Sequence, residues 1–175
     1  MNEIIIRIAN PDDAELIAEM SRITFYDAFA KDNSKEDMDF FLNEQFTKAA
    51  LKKEVEEANG IFMLAYVNND AAGYARMRLK NSENILAEES AIEIARIYAM
   101  PSAIGKGVGS ALMQKCIDVA AEQNKTVIWL GVWEKNERAI AFYTRWGFNK
   151  FSEHSFLLGS DLQTDWLMKR TVVLP

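Results

Sequence analysis

The stretch AIEIARIYAMPSAIGKGVGS, residues 91–110, decides the fold. Its first nine residues are rich in isoleucine and predict a strand, Ala91–Ala99. The run GKGVG follows five residues later and contains three of the chain's eight glycines. After it, Val108, Leu112 and Cys116 share one apolar face of a helix that we expect to end near Gln123. A strand, a glycine-rich turn and an amphipathic helix in this order predict a crossover unit in an α/β fold.

The glycine-rich turn predicts an anion site. Glycine permits positive φ and lets a ligand approach the backbone closely. Successive N–H groups at a helix start favour an anion such as a pyrophosphate, and Lys106 could add a positive charge. A tight turn that only packs the helix on the strand is the alternative. Three glycines at this position favour anion binding over that alternative.

Two other phosphate-binding folds compete for this turn. A P-loop requires Lys followed by Ser or Thr, whereas Gly107 follows Lys106. A dinucleotide fingerprint requires GxGxxG, and Ser110 stands in the last place, although Glu134 ends the next strand where a ribose-binding acid would lie. The chain after Trp133 is too short for the remaining elements of a dinucleotide fold.

The composition narrows the class of function. A length of 175 residues predicts one domain, 1–175. The formal net charge of −6 argues against nucleic-acid and membrane binding and favours a cationic partner. One cysteine and one histidine exclude multi-cysteine zinc and iron–sulfur sites within one chain, so we expect no metal. No export signal is visible, and a cytoplasmic protein is expected.

The rest of the chain predicts a mixed α/β architecture. Helices are expected after Asn10, Ser34 and Thr47, before any hairpin. A polar loop is expected at Asn81–Glu89. The other expected elements are strands at Glu3–Ala9, Ile61–Val67, Ala72–Leu79, Thr126–Trp133, Phe148–Leu158 and Asp165–Val173, and a helix at Asn136–Trp146.

Two segments together resemble the acetyl-CoA motifs of the GNAT superfamily of N-acetyltransferases. PSAIGKGVGSAL, residues 101–112, is similar to Q/R-x-x-G-x-G/A, with Ile104 where Gln or Arg is usual. NERAIAFYTRWGF, residues 136–148, matches N-x-x-A-x-x-F-Y-x-x-x-G-F. The resemblance implies a twisted, mostly antiparallel sheet of about seven strands flanked by helices. In this fold a splayed strand pair holds acetyl-CoA.

The resemblance also implies roles for particular residues. The acetyl-CoA arm would pair with the backbone of Ile97, Tyr98 and Ala99, and Asn136 would contact the cofactor. Tyr143 matches the usual general acid, although Ala139, Tyr143 and Trp146 share a helical face that could be core instead. The pyrophosphate would be held by Ile104, Gly105, Lys106, Gly107, Val108, Gly109 and Ser110.

A base is needed as well, because a primary amine is mostly protonated at pH 7 and must lose a proton to attack a thioester. Strand alternation places Glu93 on the same face as Ile97, and other family members carry a base there. An ion-paired strand glutamate is the alternative. Glu134 is a second candidate, and a bound water is a third.

Further segments resemble the PaiA-type polyamine acetyltransferases: 24–29 (TFYDAF), 33–46, 129–134 (WLGVWE) and 154–165. This resemblance implies spermidine or spermine as acceptor. Carboxylates interleaved with aromatic residues near the amino terminus suit an aliphatic polycation, and Asp27 and Glu36 are the preferred contacts. The alternatives are a protein N-terminal or lysine acetyltransferase, and a CoA-binding regulatory module without turnover. A homodimer is possible.

Overall fold

The computed structural model describes residues 3–79, 86 and 90–174. Within them, one sheet contains seven strands: β1 Ile4–Ile8, β2 Gly60–Val67, β3 Asp70–Arg78, β4 Ala91–Ala99, β5 Val127–Trp133, β6 Asn149–Leu158 and β7 Asp161–Thr171. The same part of the chain forms five α-helices: α1 Ala14–Phe29, α2 Lys35–Gln45, α3 Lys48–Val55, α4 Val108–Glu122 and α5 Glu137–Arg145. The polar loop predicted at Asn81–Glu89 lies outside the described residues, apart from Leu86.

The sheet has the strand order β1-β2-β3-β4-β5-β7-β6. β4 and β5 are parallel and are connected through α4, whereas the other five neighbouring pairs are antiparallel. A parallel pair requires such a crossover, which the strand, glycine turn and helix of residues 91–123 provide. The predicted mixed, mostly antiparallel sheet is confirmed.

β4 and β5 diverge in the middle of the sheet. Their pairing ends at Ile94 and Leu130. β4 continues to pair with β3 on its other side, as far as Ala99 opposite Gly73. The last five residues of β4 therefore have one edge without a strand partner, which creates the splay that the resemblance implies.

A β-bulge on β4 contradicts one sequence expectation. Arg76 pairs with Arg96 and Met77 with Ile94, so the register shifts at Ala95. The extra residue exchanges the two faces of the strand beyond it. Glu93 therefore does not share a face with Ile97, as simple alternation predicts, but faces the side on which Arg96 lies.

Helices cover both faces of the sheet. α4 and α5 pack on one face, where Leu112 and Tyr143 join a buried cluster with Ile94 and Val132. α1, α2 and α3 cover the other face around a second cluster, which includes Ile17, Met38, Leu51, Leu64 and Trp133. We call these the α4 face and the α1 face.

Close contact between α4 and β3 depends on Gly73. A Cβ at this position would lie 2.7 Å from the carbonyl oxygen of Tyr98 and 2.8 Å from Val108 Cγ1. Both distances are shorter than a carbon atom tolerates. Gly73 thus allows the first turn of α4 to pack directly on the sheet beside the splay.

Side-chain caps mark where three helical segments begin, as the sequence predicts. Asn10 caps a short 3-10 turn, Pro11–Asp13, that leads into α1, and Asp13 completes a capping box. Ser34 and Thr47 accept backbone N–H groups at the starts of α2 and α3. Each such cap satisfies a donor that has no partner inside the helix.

The carboxy-terminal hairpin is tighter than the sequence predicts. The last strand is predicted to begin at Asp165, but β7 begins at Asp161 after a turn at Gly159 and Ser160. Gly159 has a φ of 60°. The Asp37 carboxylate accepts the Ser160 N–H at 2.7 Å. This contact ties the amino-terminal end of α2 to the hairpin.

No helix in the described part of the chain is long and apolar enough to cross a membrane.

Candidate active site

The diverging strands create a slot with an unpaired backbone edge. Ile97, Tyr98 and Ala99 lie on β4 beyond its last pair with β5. Strand N–H and C=O groups on that edge can pair with another extended chain. The amide-containing arm predicted for the cofactor has the donors and acceptors for such pairing. The geometry therefore fits the three backbone contacts that the resemblance implies.

The glycine-rich turn lies at the start of α4. Gly105 and Gly107 have φ values of 78° and 86°, and a Cβ on Gly105 would meet nothing within 4 Å. Gly107 is the N-cap of α4 and has no side chain to bond the first-turn N–H groups. Those groups, including the N–H groups of Gly109 and Ser110, have no acceptor within the helix. The turn therefore presents uncovered donors in open space, which fits a pyrophosphate.

Three other residues of the turn differ in how they could contact a ligand. Val108 is buried against Gly73 and anchors α4, so only its N–H group can contact a ligand. Lys106 is exposed, and its ammonium group is able to reach an anion in solvent. Ile104, which directly precedes Gly105, is half-buried and has an extended backbone conformation.

Tyr143 lies on α5 under the α4 face. The side chain is buried, and its ring packs against Phe142 and Phe148 at centroid distances of 5.5 and 6.1 Å. Burial, and next the nearby Cys116, raise the pKa of the phenol above its usual range. Tyr143 therefore keeps its proton throughout the neutral pH range. Tyr143 is thus a core residue, and its buried phenol keeps a proton that it can donate in a hydrogen bond.

Glu93 is buried on the α1 face of β4. Its two carboxylate oxygens accept hydrogen bonds from Arg78 Nε at 2.7 Å and Arg78 Nη2 at 2.8 Å. The structure thus gives Glu93 the ion-paired arrangement that the sequence analysis names as the alternative to a base. Glu134 directly follows β5 and is exposed, with its N–H donated to the carbonyl of Thr164.

Asn136 is the N-cap of α5. Its Oδ1 accepts the N–H of Ala139 at 3.1 Å. This hydrogen bond explains why asparagine suits the first position of the NERAIAFY segment. The side-chain NH₂ group remains the part of Asn136 that could contact a cofactor.

A cleft of about 410 Å³ lies between α1, α2 and the segment after β4. It is lined by Arg22, Ile23, Tyr26, Asp27, Leu42 and Pro101. The predicted substrate residue Asp27 is exposed there, and its carboxylate makes no ion pair or hydrogen bond with another described residue. Glu36 is exposed on the first turn of α2 and does not line this cleft. The structure therefore brings Asp27, but not Glu36, beside the end of β4.

Asp165 is a candidate that the sequence analysis does not single out. It lies on β7 opposite Trp133 of β5, on the same face as Gly131, and its Oδ2 is 3.9 Å from His154 Nε2. Burial raises the pKa of the Asp165 carboxyl to about 6, against a smaller opposite effect of His154. The only signal in the sequence is a carboxylate directly before the short apolar run WLM of β7, and its position beside the splay depends on the sheet order.

Within the described residues, no group of three or more His, Cys, Asp and Glu side chains could hold a metal ion.

Known proteins match this sequence over most of its length. The Acetyltransferase (GNAT) family matches residues 21–148, a range that contains both motif segments. An uncharacterized N-acetyltransferase in the pepI 3′ region of Lactobacillus delbrueckii subsp. lactis is 39% identical over 169 residues. That match covers 97% of each sequence. The resemblance drawn from the motifs is therefore confirmed at the level of the family.

Solved structures share the whole architecture. The PaiA N-acetyltransferase from Thermoplasma acidophilum in complex with coenzyme A has a TM-score of 0.78 at 19% identity, over 97% of this chain and 99% of that one. The ribosomal-protein-S18-alanine N-acetyltransferase from Escherichia coli has a TM-score of 0.74 at 16% identity, over 99% and 96% of the two chains. At these identities the likeness shows the fold alone, and both structures have it.

Proposed function

This chain belongs to the Acetyltransferase (GNAT) family and is an acetyl-CoA-dependent N-acetyltransferase, and we propose that its acceptor is a primary amine of a polyamine such as spermidine or spermine. The observation that carries the choice of acceptor is the cleft beside the end of β4. Its walls combine apolar and aromatic side chains with the carboxylate of Asp27, which pairs with no other described residue. Arg22 also lines the cleft, and its guanidinium group donates to the Leu42 carbonyl and to Asn43 Oδ1.

The cofactor site in this proposal is built from backbone. The N–H groups of Gly107, Val108, Gly109 and Ser110 hold the pyrophosphate, and the open edge of residues 97–99 pairs with the arm. Lys106 adds a positive charge, and the Asn136 amide approaches from α5. The bound thioester supplies an activated acetyl group and a sulfur leaving group.

Tyr143 assists the departing sulfur. A thiol has a pKa of ~8.5, so a phenol whose pKa lies above its usual ~10 transfers a proton to a thiolate unfavourably at equilibrium. Tyr143 therefore acts first as a hydrogen-bond donor to the developing negative charge, and solvent restores its proton after transfer. Its burial keeps water from competing for that hydrogen bond.

The acceptor's distal charge lies at Asp27. A polyamine carries several ammonium groups separated by methylene chains, which match a carboxylate next to the Tyr26 ring and the apolar side chains of Ile23 and Leu42. The overall charge of −6 attracts such a polycation. A monoamine has no second charge to place there, so the cleft favours polyamines over short monoamines.

Neutralising Asp27 tests this acceptor assignment. Asp27→Asn should raise KM for spermidine about fivefold, equivalent to the ~1 kcal/mol of a well-placed exposed charge pair, and leave KM for a short monoamine unchanged. Glu19→Gln changes the same charge at an exposed site on α1 outside the cleft and is the matched control. Glu36→Gln shows whether the second predicted carboxylate contributes.

The contrary results identify the alternative acceptors. If spermidine and the monoamine lose activity in parallel, Asp27 does not select the acceptor. If the enzyme acetylates a peptide amino terminus or a peptide lysine but no polyamine, the acceptor is a protein. If acetyl-CoA binds without turnover on any amine, the chain is a CoA-binding module.

A further inference from the structure

An open hollow lies over Gly131 on the α1 face of the sheet. Gly131 is exposed although β5 is an interior strand and the neighbouring residues Leu130 and Val132 are buried. It directly follows Leu130, the last residue of β5 that pairs with β4. The hollow therefore opens at the point where the two strands diverge.

Asp165 borders this hollow. An ideal Cβ on Gly131 would lie 3.6 Å from Asp165 Oδ2 and 3.7 Å from Leu167 Cδ2. These are ordinary contact distances, so an atom placed over Gly131 touches the carboxylate without displacing it. The Asp165 side chain is only 18% exposed, which limits the water that screens its charge.

Few charged groups act on Asp165 among the described residues. His154 of β6 lies 3.9 Å away, and the phenol of Tyr98 on β4 is close enough for Asp165 to raise its pKa, after the larger effect of burial. Lys135 extends over the ring of Trp133, the residue opposite Asp165 on β5, at 5.8 Å from the ring centroid. Within the part of the chain that the structure describes, Asp165 thus has no arginine or lysine ion pair like that between Arg78 and Glu93.

The other two carboxylates are placed less well for an incoming amine. Both oxygens of Glu93 accept hydrogen bonds from Arg78, and Glu93 pairs with Trp129 before the strands diverge. Glu134 is exposed beyond the end of β5, where solvent weakens its effect. Asp165 lies beside the splay. Unlike Glu93, its carboxylate does not have both oxygens bonded to a cationic side chain among the described residues.

We propose that the hollow over Gly131 receives the reacting amine and that the Asp165 carboxylate binds it and accepts its proton. The inference rests on the proposed function only in taking an amine as acceptor, whichever amine that is. Burial of Asp165 supports it further, because a carboxyl with a pKa near 6 is a stronger base than an ordinary aspartate and is still ionised at pH 7.

The proton and electron balance is complete with these groups. The ammonium ion gives one proton to Asp165, and the nitrogen lone pair forms the C–N bond to the acetyl carbon. The C–S bond breaks with its electron pair moving to sulfur, and the thiolate takes a proton from Tyr143, which solvent replaces. The second nitrogen proton and the proton on Asp165 pass to water, so the products are the amide, the free thiol and one net proton.

Asp165→Asn tests the role of the carboxylate without changing the shape of the side chain. The unmodified enzyme is first assayed with spermidine and with a peptide that begins with alanine. The acceptor that it acetylates is then used for the variants. We expect kcat/KM to fall by ~10²-fold or more. The break that Asp165 produces near pH 6 in the wild-type profile of kcat/KM, where activity drops as the carboxylate is protonated, should be absent from the variant. An O-alkylhydroxylamine, whose amino group is uncharged at pH 7, should lose much less activity.

Two further variants keep the inference testable if Asp165→Asn is unstable. Gly131→Ala places a methyl group in the hollow at ordinary contact distances and should raise KM for the amine while the acetyl-CoA-induced rise in Tm persists. Glu153→Gln is the matched control, because Glu153 precedes His154 on β6, is exposed and pairs with Lys150.

The results that would overturn the inference differ from those that would overturn the proposed function. One contrary result is full activity in both Asp165→Asn and Gly131→Ala. If Glu93→Gln then abolishes activity, Glu93 is the base and Asp165 is not. An equal loss with the ammonium acceptor and the O-alkylhydroxylamine would also exclude proton removal by Asp165. Failure of the unmodified enzyme on spermidine, with activity on the peptide, contradicts only the polyamine assignment.

Discussion

Tyr143 and Asp165 face the diverging strands from opposite sides of the sheet. Tyr143 belongs to the cluster on the α4 face, whereas Asp165 lies with Gly131 on the α1 face. Both are near Tyr98. Burial raises the pKa of the Tyr98 phenol most, and Tyr74, Tyr143 and Asp165 raise it further. A thioester lying between β4 and β5 would thus meet a proton acceptor on the side of the amine and a proton donor on the side of the sulfur.

Tyr143→Phe isolates the hydroxyl at the residue scale, because the ring and its packing are retained. We expect kcat to fall by ~10²-fold while acetyl-CoA affinity stays within about twofold. Stopped-flow measurement of thiol release, under conditions where chemistry is rate-limiting, reads kcat directly. Phe142→Leu on the same helix is the packing control. An unchanged kcat in Tyr143→Phe would leave the side chain with a structural role alone.

Among the elements, the turn between β4 and α4 is the proposed pyrophosphate site. Two glycines share a backbone conformation but differ in position, so substitutions there separate backbone strain from ligand binding. Gly107 and Gly147 have φ values of 86° and 82°. A Cβ would meet only Ile4 Cδ1 at 3.5 Å in the first case and nothing within 4 Å in the second. Valine at either position costs similar backbone strain, but only position 107 lies at the uncovered N–H groups of α4.

Gly107→Val should therefore lose the stabilisation by acetyl-CoA, and Gly147→Val should keep it. At a ligand concentration of 100 Kd the stabilisation is ~2.7 kcal/mol, which raises Tm by roughly 5–10 °C in a chain of this size. Thermal unfolding with and without acetyl-CoA measures both variants. If both variants lose the Tm shift, its loss reflects destabilised folding and not a missing ligand contact. If Gly107→Val keeps the shift, the pyrophosphate binds elsewhere.

Elements with local signals are predictable from the sequence, and contacts between distant strands are not. Asn10, Ser34, Thr47 and Asn136 mark helix starts because a short polar side chain satisfies a nearby N–H group. The bulge at Ala95 has no such signal, so alternation assigns the wrong face to Glu93. The early start of β7 likewise depends on the contact between Asp37 and Ser160, residues that are far apart in the chain.

The candidate site likewise combines segments that local patterns predict with contacts that they do not. The glycine turn and the NERAIAFY segment are each continuous in sequence, and each forms the helix start that local patterns predict. Asp165 approaches Gly131 only because β7 inserts between β5 and β6, an order that local patterns do not encode. Asp27 is likewise recognisable as acidic, but its place in a cleft next to Pro101 depends on how α1 packs.

At the scale of the whole molecule, the net charge and the carboxylate in the cleft both support the proposed cationic acceptor. The chain carries 26 acidic and 20 basic side chains, and an acidic surface attracts a polycation before it reaches the site. The cleft lies beside Pro101, which follows β4 closely, so the proposed polyamine would enter beside the carboxyl end of β4. The central claim is acetyl transfer to such an amine.

Thiol release from acetyl-CoA, combined with mass spectrometry of the products, tests that claim most directly. Spermidine, spermine, a short monoamine, an alanine-starting peptide and a lysine-containing peptide would be compared at equal concentration, with a reaction lacking acceptor as the blank. With spermidine or spermine we expect thiol release well above the blank and a product heavier by one acetyl group. Thiol release with a peptide and none with either polyamine would contradict that claim.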